Sequence, residues 1–318
     1  MASIGIDLGG TNIAVGVVDN EYNIIGRAVT KTRAERPTDE IIADMAATAR
    51  QAVENAGLTM ADISAVGVAA PGSVNPVSGV IEYANNINFK QTPVGPELSR
   101  LLGLPVTLGN DANLAAYGEL IAGAGKEANT MIAVTLGTGV GGGIIIDRRI
   151  YTGFNYAGAE LGHLVIVENG ELCTCGTRGC WEAYASATAL IRQTKAAMQA
   201  NPDSKMWELC GGDIGNASGR TAFDAMRAGD EAGAQVVDRY IGHIATGVIS
   251  IINIFQPEII CIGGGICNEG ETLMAPLREK VFENIYNRSA DKSRQTKLVR
   301  ASLGNDAGII GAAAVGLQ

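Results

Sequence analysis

Positive charge is scarce in this chain. Its 318 residues carry 24 Lys and Arg against 33 Asp and Glu, a formal net charge of −9, and no basic run stands out. A surface that wraps nucleic acid needs clustered cations, so nucleic acid is disfavoured as a partner. A small anionic ligand stays open, because backbone N–H groups bind phosphate without net positive charge. The opening MASIGIDLGG lacks the charged stretch and apolar run of a secretory signal and reads as a strand. Long apolar runs are missing too. The longest uncharged one, near IATGVISIINIF (244–255), is too short for a bilayer and stops at Pro257. These absences point to a cytoplasmic protein with no membrane partner, where thiols stay reduced. Two nucleotide fingerprints are absent as well. GAGK (123–126) is followed by Glu127, which excludes a P-loop. GTGVGG (137–142) has the G-x-G-x-x-G spacing, but the strand-like GIIID follows where a dinucleotide fold requires a helix.

What is present is apolar sequence in quantity. At 47% hydrophobic and 18% charged, the chain can bury a large core, and its length suits two domains or one large one. Two segments resemble each other at an offset of 128 residues. IGIDLGGTNIAVGVVD (4–19) aligns without gaps on IAVTLGTGVGGGIIID (132–147), each reading as strand, glycine turn and strand. Elsewhere helix and strand alternate. The spacing predicts helices over 38–57, 112–125, 187–200, 232–255 and 306–317, and strands over 63–72, 105–111 and 258–265. This is an α/β pattern with buried sheets, and a domain boundary is expected just before Asn110. Segment 201–220 reads as a surface excursion without an assigned role.

The two glycine turns are candidate phosphate cradles. In DLGGTN, Gly9 and Gly10 let a ligand approach the backbone, Thr11 and Asn12 add donors, and Asp7 ends a buried strand where it could face Mg²⁺. A plain hairpin with a solvated Asp explains that stretch equally well. Thr138 and Gly139 hold the matching place in the second half, and Gly264 and Gly265 would let a flat base lie against backbone. In GNDAN, Asp111 stands at the carboxyl end of a strand, where α/β ligand sites gather; capping the next helix is the competing role.

Three of six cysteines and one of two histidines fall in ELGHLVIVENGELCTCGTRGCWE (160–182). One imidazole and three thiolates, His163, Cys173, Cys175 and Cys180, suit tetrahedral Zn²⁺, with no position left open for water. Such a site is structural, and it would clamp Glu160 and Glu182 beside one pocket. Cys210, Cys261 and Cys267 read as buried small apolar residues, and His243 as structural.

Together DLGGTN, GND, TLGTGVGGG, ELGH and CTCGTRGCWE resemble the ROK sugar kinases across nearly the whole chain, bacterial glucokinases in particular. The resemblance implies a two-lobed actin-like (ribonuclease H-like) ATPase fold with the active site in the interlobe cleft. The final helix would pack back on the first lobe, giving lobes of 1–109 plus 306–318 and 110–305. It further implies ATP and Mg²⁺ as well as structural zinc, and a homodimer or homotetramer. Asp111 would be the general base toward a hexose held by Gly72, Asn86, Asn110, Asp111, Glu160, His163 and Glu182, with Asn85 and Asn88 competing for the place of Asn86. The acceptor expected is glucose. N-acetylmannosamine, N-acetylglucosamine, fructose and allose are the alternatives within the family, and polyphosphate is an open alternative donor. A sugar-responsive repressor is disfavoured, since the first strand begins at residue 4 with no DNA-binding segment before it. A non-catalytic actin-like scaffold would not account for the cysteine loop.

Overall fold

β-branched and aliphatic residues alternate or run together at the start of the chain, and they form strands. The computed structural model describes residues 1–84, 86–288 and 291–317. In chain order, β1 (Ala2–Leu8), β2 (Asn12–Val18) and β3 (Ile24–Lys31) form a meander, followed by α1 (Thr38–Asn55) and β4 (Ile63–Ala70). Then come β5 (Ser73–Asn75), β6 (Val80–Tyr83), β7 (Lys90–Thr92), α2 (Val94–Leu102), β8 (Val106–Asn110) and α3 (Asp111–Ile121). The second half runs through β9 (Met131–Leu136), β10 (Val140–Ile146), β11 (Arg149–Tyr151), α4 (Glu182–Ala185), α5 (Ala187–Ala200), α6 (Lys205–Leu209), α7 (Thr221–Arg227) and α8 (Glu231–Phe255). It closes with β12 (Ile259–Gly263), α9 (Glu271–Asn284), β13 (Lys297–Arg300) and α10 (Ala307–Val315).

Packing divides the chain into two units, Met1–Ala133 with Gly143–Ala159 and Ala301–Gln318, and Val134–Gly142 with Glu160–Arg300. The expected boundary before Asn110 therefore does not follow the contacts. The reason is α3, which buries Leu114, Ala116 and Leu120 and packs on α10 within the first unit. Glu119 ties the same helix to the start of the closing segment. Its buried carboxylate accepts from Ser302 N and Oγ, Leu303 N and Ala124 N at 2.8–3.2 Å.

The first sheet has the order β3-β2-β1-β4-β8. β1, β4 and β8 run parallel, with Asp7 opposite Ala69 and Ala69 opposite Gly109, so their carboxyl ends share one edge. One face is covered by α1, whose Ile41, Ile42, Met45, Ala49 and Val53 are buried at helical spacing. The other carries α10, which is buried along eight of its residues. Glycine makes that contact close: a Cβ on Gly5 would strike Ile309 O, and one on Gly67 would strike Ala312 O. The second sheet has the order β11-β10-β9-β12-β13. In the second unit the 25-residue α8 buries Tyr240, Ile244, Val248 and Ile252 on one stripe. Segment 201–220 is not simply a surface excursion, since it holds α6, with Met206 and Cys210 buried. Among the described residues no helix is long and apolar enough to cross a membrane.

Candidate active site

The shared edge of β1, β4 and β8 gathers Asp7, Gly72, Asn110 and Asp111. Asn110 ends β8 and caps α3. Its Oδ1 accepts from Asn113 N at 3.2 Å, and its Nδ2 donates to Gly72 O at 3.1 Å. Capping thus falls to Asn110, and Asp111 is the first helical residue, exposed. The carboxyl of Asp7 is pushed up to about 6, chiefly because burial disfavours its charge and secondly because the Asp111 carboxylate is near. Asp111 Oδ1 accepts from Ala112 N at 2.8 Å, and its carboxylate stands near the buried Asp7.

The first glycine turn lies beside them. Gly9 N donates to Asn12 O at 3.0 Å, and Gly9 O and Thr11 O accept from Thr32 Oγ1 and N at 2.6 and 2.9 Å. Gly10 sits close to Asn86, whose main-chain O would lie 3.3 Å from a Cβ on Gly10. Asn86 and Asn88 are both exposed, while Asn85 falls outside the described residues. Asn12 is engaged by a residue the sequence did not single out: Lys31, opposite it on β3, donates from Nζ to Asn12 Oδ1 at 2.9 Å.

In the second unit the donor atoms of His163, Cys173, Cys175 and Cys180 all lie within 4.8 Å of one another. Cys175 Sγ is 3.6 Å from Cys180 Sγ, and Cys173 Sγ is 3.7 Å from His163 Nδ1. A tetrahedral ion with metal–sulfur bonds of ~2.3 Å has sulfur–sulfur edges of ~3.8 Å, close to these two separations. Hydrogen bonds from Thr177, its backbone first, pull the exposed Cys175 thiol down to about 7.

This loop is bound to the second glycine turn. Glu182 Oε1 accepts from Thr174 Oγ1 at 3.0 Å and lies 3.6 Å from Cys173 Sγ, while Oε2 accepts from Val140 N at 3.0 Å. A Cβ at position 139 would strike that carboxylate oxygen, so a larger residue there would require Glu182 to shift. From another direction, the turn Leu161–His163 that follows Glu160 lies against the same backbone, where a Cβ on Gly162 would strike Val140 O. Glu160 itself is exposed. Trp181, fully buried, donates from Nε1 to His243 O at 2.8 Å and fixes the loop to α8.

A cavity of about 730 Å³ opens on the same turn. It is lined by Gly137, Thr138, Ser218, Gly219, Gly265 and Asn268 among others. Gly264 does not line it. With φ of +92° and Leu136 O against its missing side chain, Gly264 turns the chain from β12 instead. Arg227 closes one wall through ion pairs to Asp224 at 2.5 Å and Glu269 at 2.6 Å.

Comparison with known proteins fits this geometry. Residues 3–318 match the ROK family. The chain belongs to the ROK family. A glucokinase of Thermotoga maritima is 37% identical over 98% of this chain and 96% of its own length, and a glucokinase of Streptomyces coelicolor is 38% identical over the same shares. Among solved structures, a ROK family glucokinase from Streptomyces griseus in complex with glucose and AMPPNP superposes with a TM-score of 0.82 at 34% identity, covering all of both chains. The fold is thus the mixed α/β, actin-like fold of ROK sugar kinases.

Within that fold, sequence reasoning missed three features. Lys31 is remote from the glycine turn in sequence and reaches it only through the pairing of β2 with β3. Ser218, Gly219 and Arg220 reach the 730 Å³ cavity from the segment that carried no motif. The double role of Glu182, holding both the cysteine loop and Val140, had no signal beyond its position two residues after Cys180.

Proposed function

We propose that this ROK chain is an ATP-dependent kinase that phosphorylates glucose to glucose 6-phosphate, with Asp111 as general base. The observation that carries the chemistry is the acidic pair at the edge of the first sheet. Asn110 takes the cap, and the exposed Asp111 carboxylate stands at the carboxyl end of β8 near the buried Asp7. The donor set of Asp7 and Asp111 suits a divalent cation. Asp7 would hold Mg²⁺, directly or through water, and the ion would supply charge neutralisation on the nucleotide phosphates when bound.

The residues divide the work as follows. Backbone N–H groups of Gly10 and Thr11 and of Thr138 and Gly139 receive phosphate oxygens, and the cavity at Thr138 and Gly265 receives the nucleoside. Asn110 and Gly72 hold one side of the hexose, with Asn86 nearby. Glu160, His163 and Glu182 receive further hydroxyls, since a carboxylate oxygen that already accepts from Val140 N has acceptor capacity left. His163, Cys173, Cys175 and Cys180 would hold a structural zinc ion, which would fix the loop that carries those glutamates, and the second imidazole nitrogen of His163 would remain to donate. Asp111 then draws the proton from the attacking hydroxyl while the γ-phosphoryl group transfers in line. The reading includes a cytoplasmic location and a homodimer or homotetramer.

An ATP-coupled phosphorylation assay across glucose, fructose, allose, N-acetylglucosamine and N-acetylmannosamine tests this directly. Glucose is expected to give the highest kcat/KM. A higher value for another sugar moves the acceptor within the family, and no phosphorylation of any of them ends the proposal. A parallel arm with polyphosphate tests the donor.

A further inference from the structure

A second cavity in the same unit, of about 590 Å³, has no part in the reading above. It lies between α5 and α8 and reaches the cysteine loop at Glu171 and Tyr184. Alanines make the room: Ala196, Ala197 and Ala200 of α5 and Ala232 of α8 leave a space that longer side chains would fill. Its size is within the ~300–1,000 Å³ typical of small-molecule sites.

The lining is specific in charge. Arg192 and Arg239 both face the cavity, in a protein of net charge −9. Arg239 makes no hydrogen bond or ion pair with any described residue, and its charge acts on the ring of His243 one turn along α8. Arg192 donates from Nη2 to Ala183 O at 2.7 Å and stands 3.9 Å from the exposed carboxylate of Glu171, which leaves guanidinium donors over. Gln193, Gln235 and Asn201 add amide groups, and Glu171 adds acceptors. Two guanidinium groups with amides and one carboxylate around a roomy hollow suit an anion that also carries hydroxyls.

We propose that this cavity is a second ligand site, for a phosphorylated sugar, with the phosphate on Arg239 and Arg192 and sugar hydroxyls on Glu171 and the amides. The choice of a hexose phosphate as occupant rests on the kinase reading, since that reaction forms one. The site's wall is α4. Arg192 holds Ala183 O, Gln193 Nε2 holds Tyr184 O at 2.9 Å, and the Tyr184 ring packs on His243 with centroids 4.9 Å apart. The first residue of α4 is Glu182, so an occupant is two residues from the carboxylate that grips Val140.

The test is calorimetric titration of glucose 6-phosphate into zinc-loaded protein already saturated with glucose and AMPPNP, which occupy the reaction's own sites. One equivalent per chain is expected to bind. Arg239→Glu should weaken it at least ~10-fold, by reversing a charge against the phosphate. Ala197→Phe, which fills the hollow without touching charge, should weaken it as strongly. Neither residue is in the proposed catalytic machinery, so both variants should keep the wild-type circular dichroism and turnover. Absence of saturable binding overturns the site, as does wild-type affinity in both variants. Inorganic phosphate binding as tightly as the ester overturns the assignment to a sugar phosphate. Failure of the kinase reading shows separately, as absence of phosphorylation by the same preparation.

Discussion

Replacing Asp7 with Asn should stabilise the nucleotide-free protein while removing its activity. Burial, and then the neighbouring Asp111, raise the Asp7 carboxyl from 3.8 to about 6. A carboxyl whose folded pKa is raised binds its proton more tightly in the folded chain. Its contribution is therefore full below pH 3.8 and is lost progressively as pH rises through 6. At neutral pH the ionised side chain costs the folded state ~3 kcal/mol relative to the protonated form, and at pH 5 about half of that. Asn mimics the protonated form and does not titrate. The stability difference between variant and wild type should thus widen by ~1.4 kcal/mol between pH 5 and pH 7.5, in favour of the variant. Urea unfolding of both proteins at the two pH values, without nucleotide or Mg²⁺, measures it. A difference that does not change with pH, or that favours wild type more at pH 7.5, would refute the reasoning. Turnover of Asp7→Asn should fall by at least ~10²-fold if this carboxylate holds the cation.

Two further predictions concern the frame. Glu119→Ala removes a buried acceptor of four hydrogen bonds and should cost at least ~3 kcal/mol in the same unfolding assay, because the freed N–H groups of Ser302 and Leu303 lose a charged partner. A loss below ~1 kcal/mol would show that water replaces the carboxylate at no great cost. Cys175→Ser should lose zinc and raise the KM for glucose ~10-fold or more while the fold persists on its own cores. Metal analysis with sugar kinetics decides this, and freshly purified wild type without zinc would sink the four-ligand assignment.

Much of the frame was legible in sequence for plain physical reasons. Helical spacing of apolar residues marked α1, α5 and α8, and α5 occupies the predicted 187–200 span. Continuous aliphatic runs marked β4 and β12, buried on both faces. The cysteine density marked a cluster that the structure closes to within 4.8 Å. Long-range pairing was not legible. That α3 groups with the first unit depends on its contact with α10 about 190 residues later, to which no local pattern points. The choice between cap and base at GND was undetermined for a similar reason. Asn110 and Asp111 both cap helices well, and it is the bond from Asn113 N to Asn110 Oδ1 that identifies the cap. Lys31 and the 218–220 segment came to their sites through strand pairing and through a turn without motif.

The most direct measurement of the central claim is the comparison of kcat and glucose affinity for Asp111→Asn, zinc-loaded and folded as wild type. The account predicts a fall in kcat of ~10²-fold or more with glucose binding retained, because a general base acts on the transferring proton and Asn110 still holds the sugar. Near-normal turnover in that variant would contradict it.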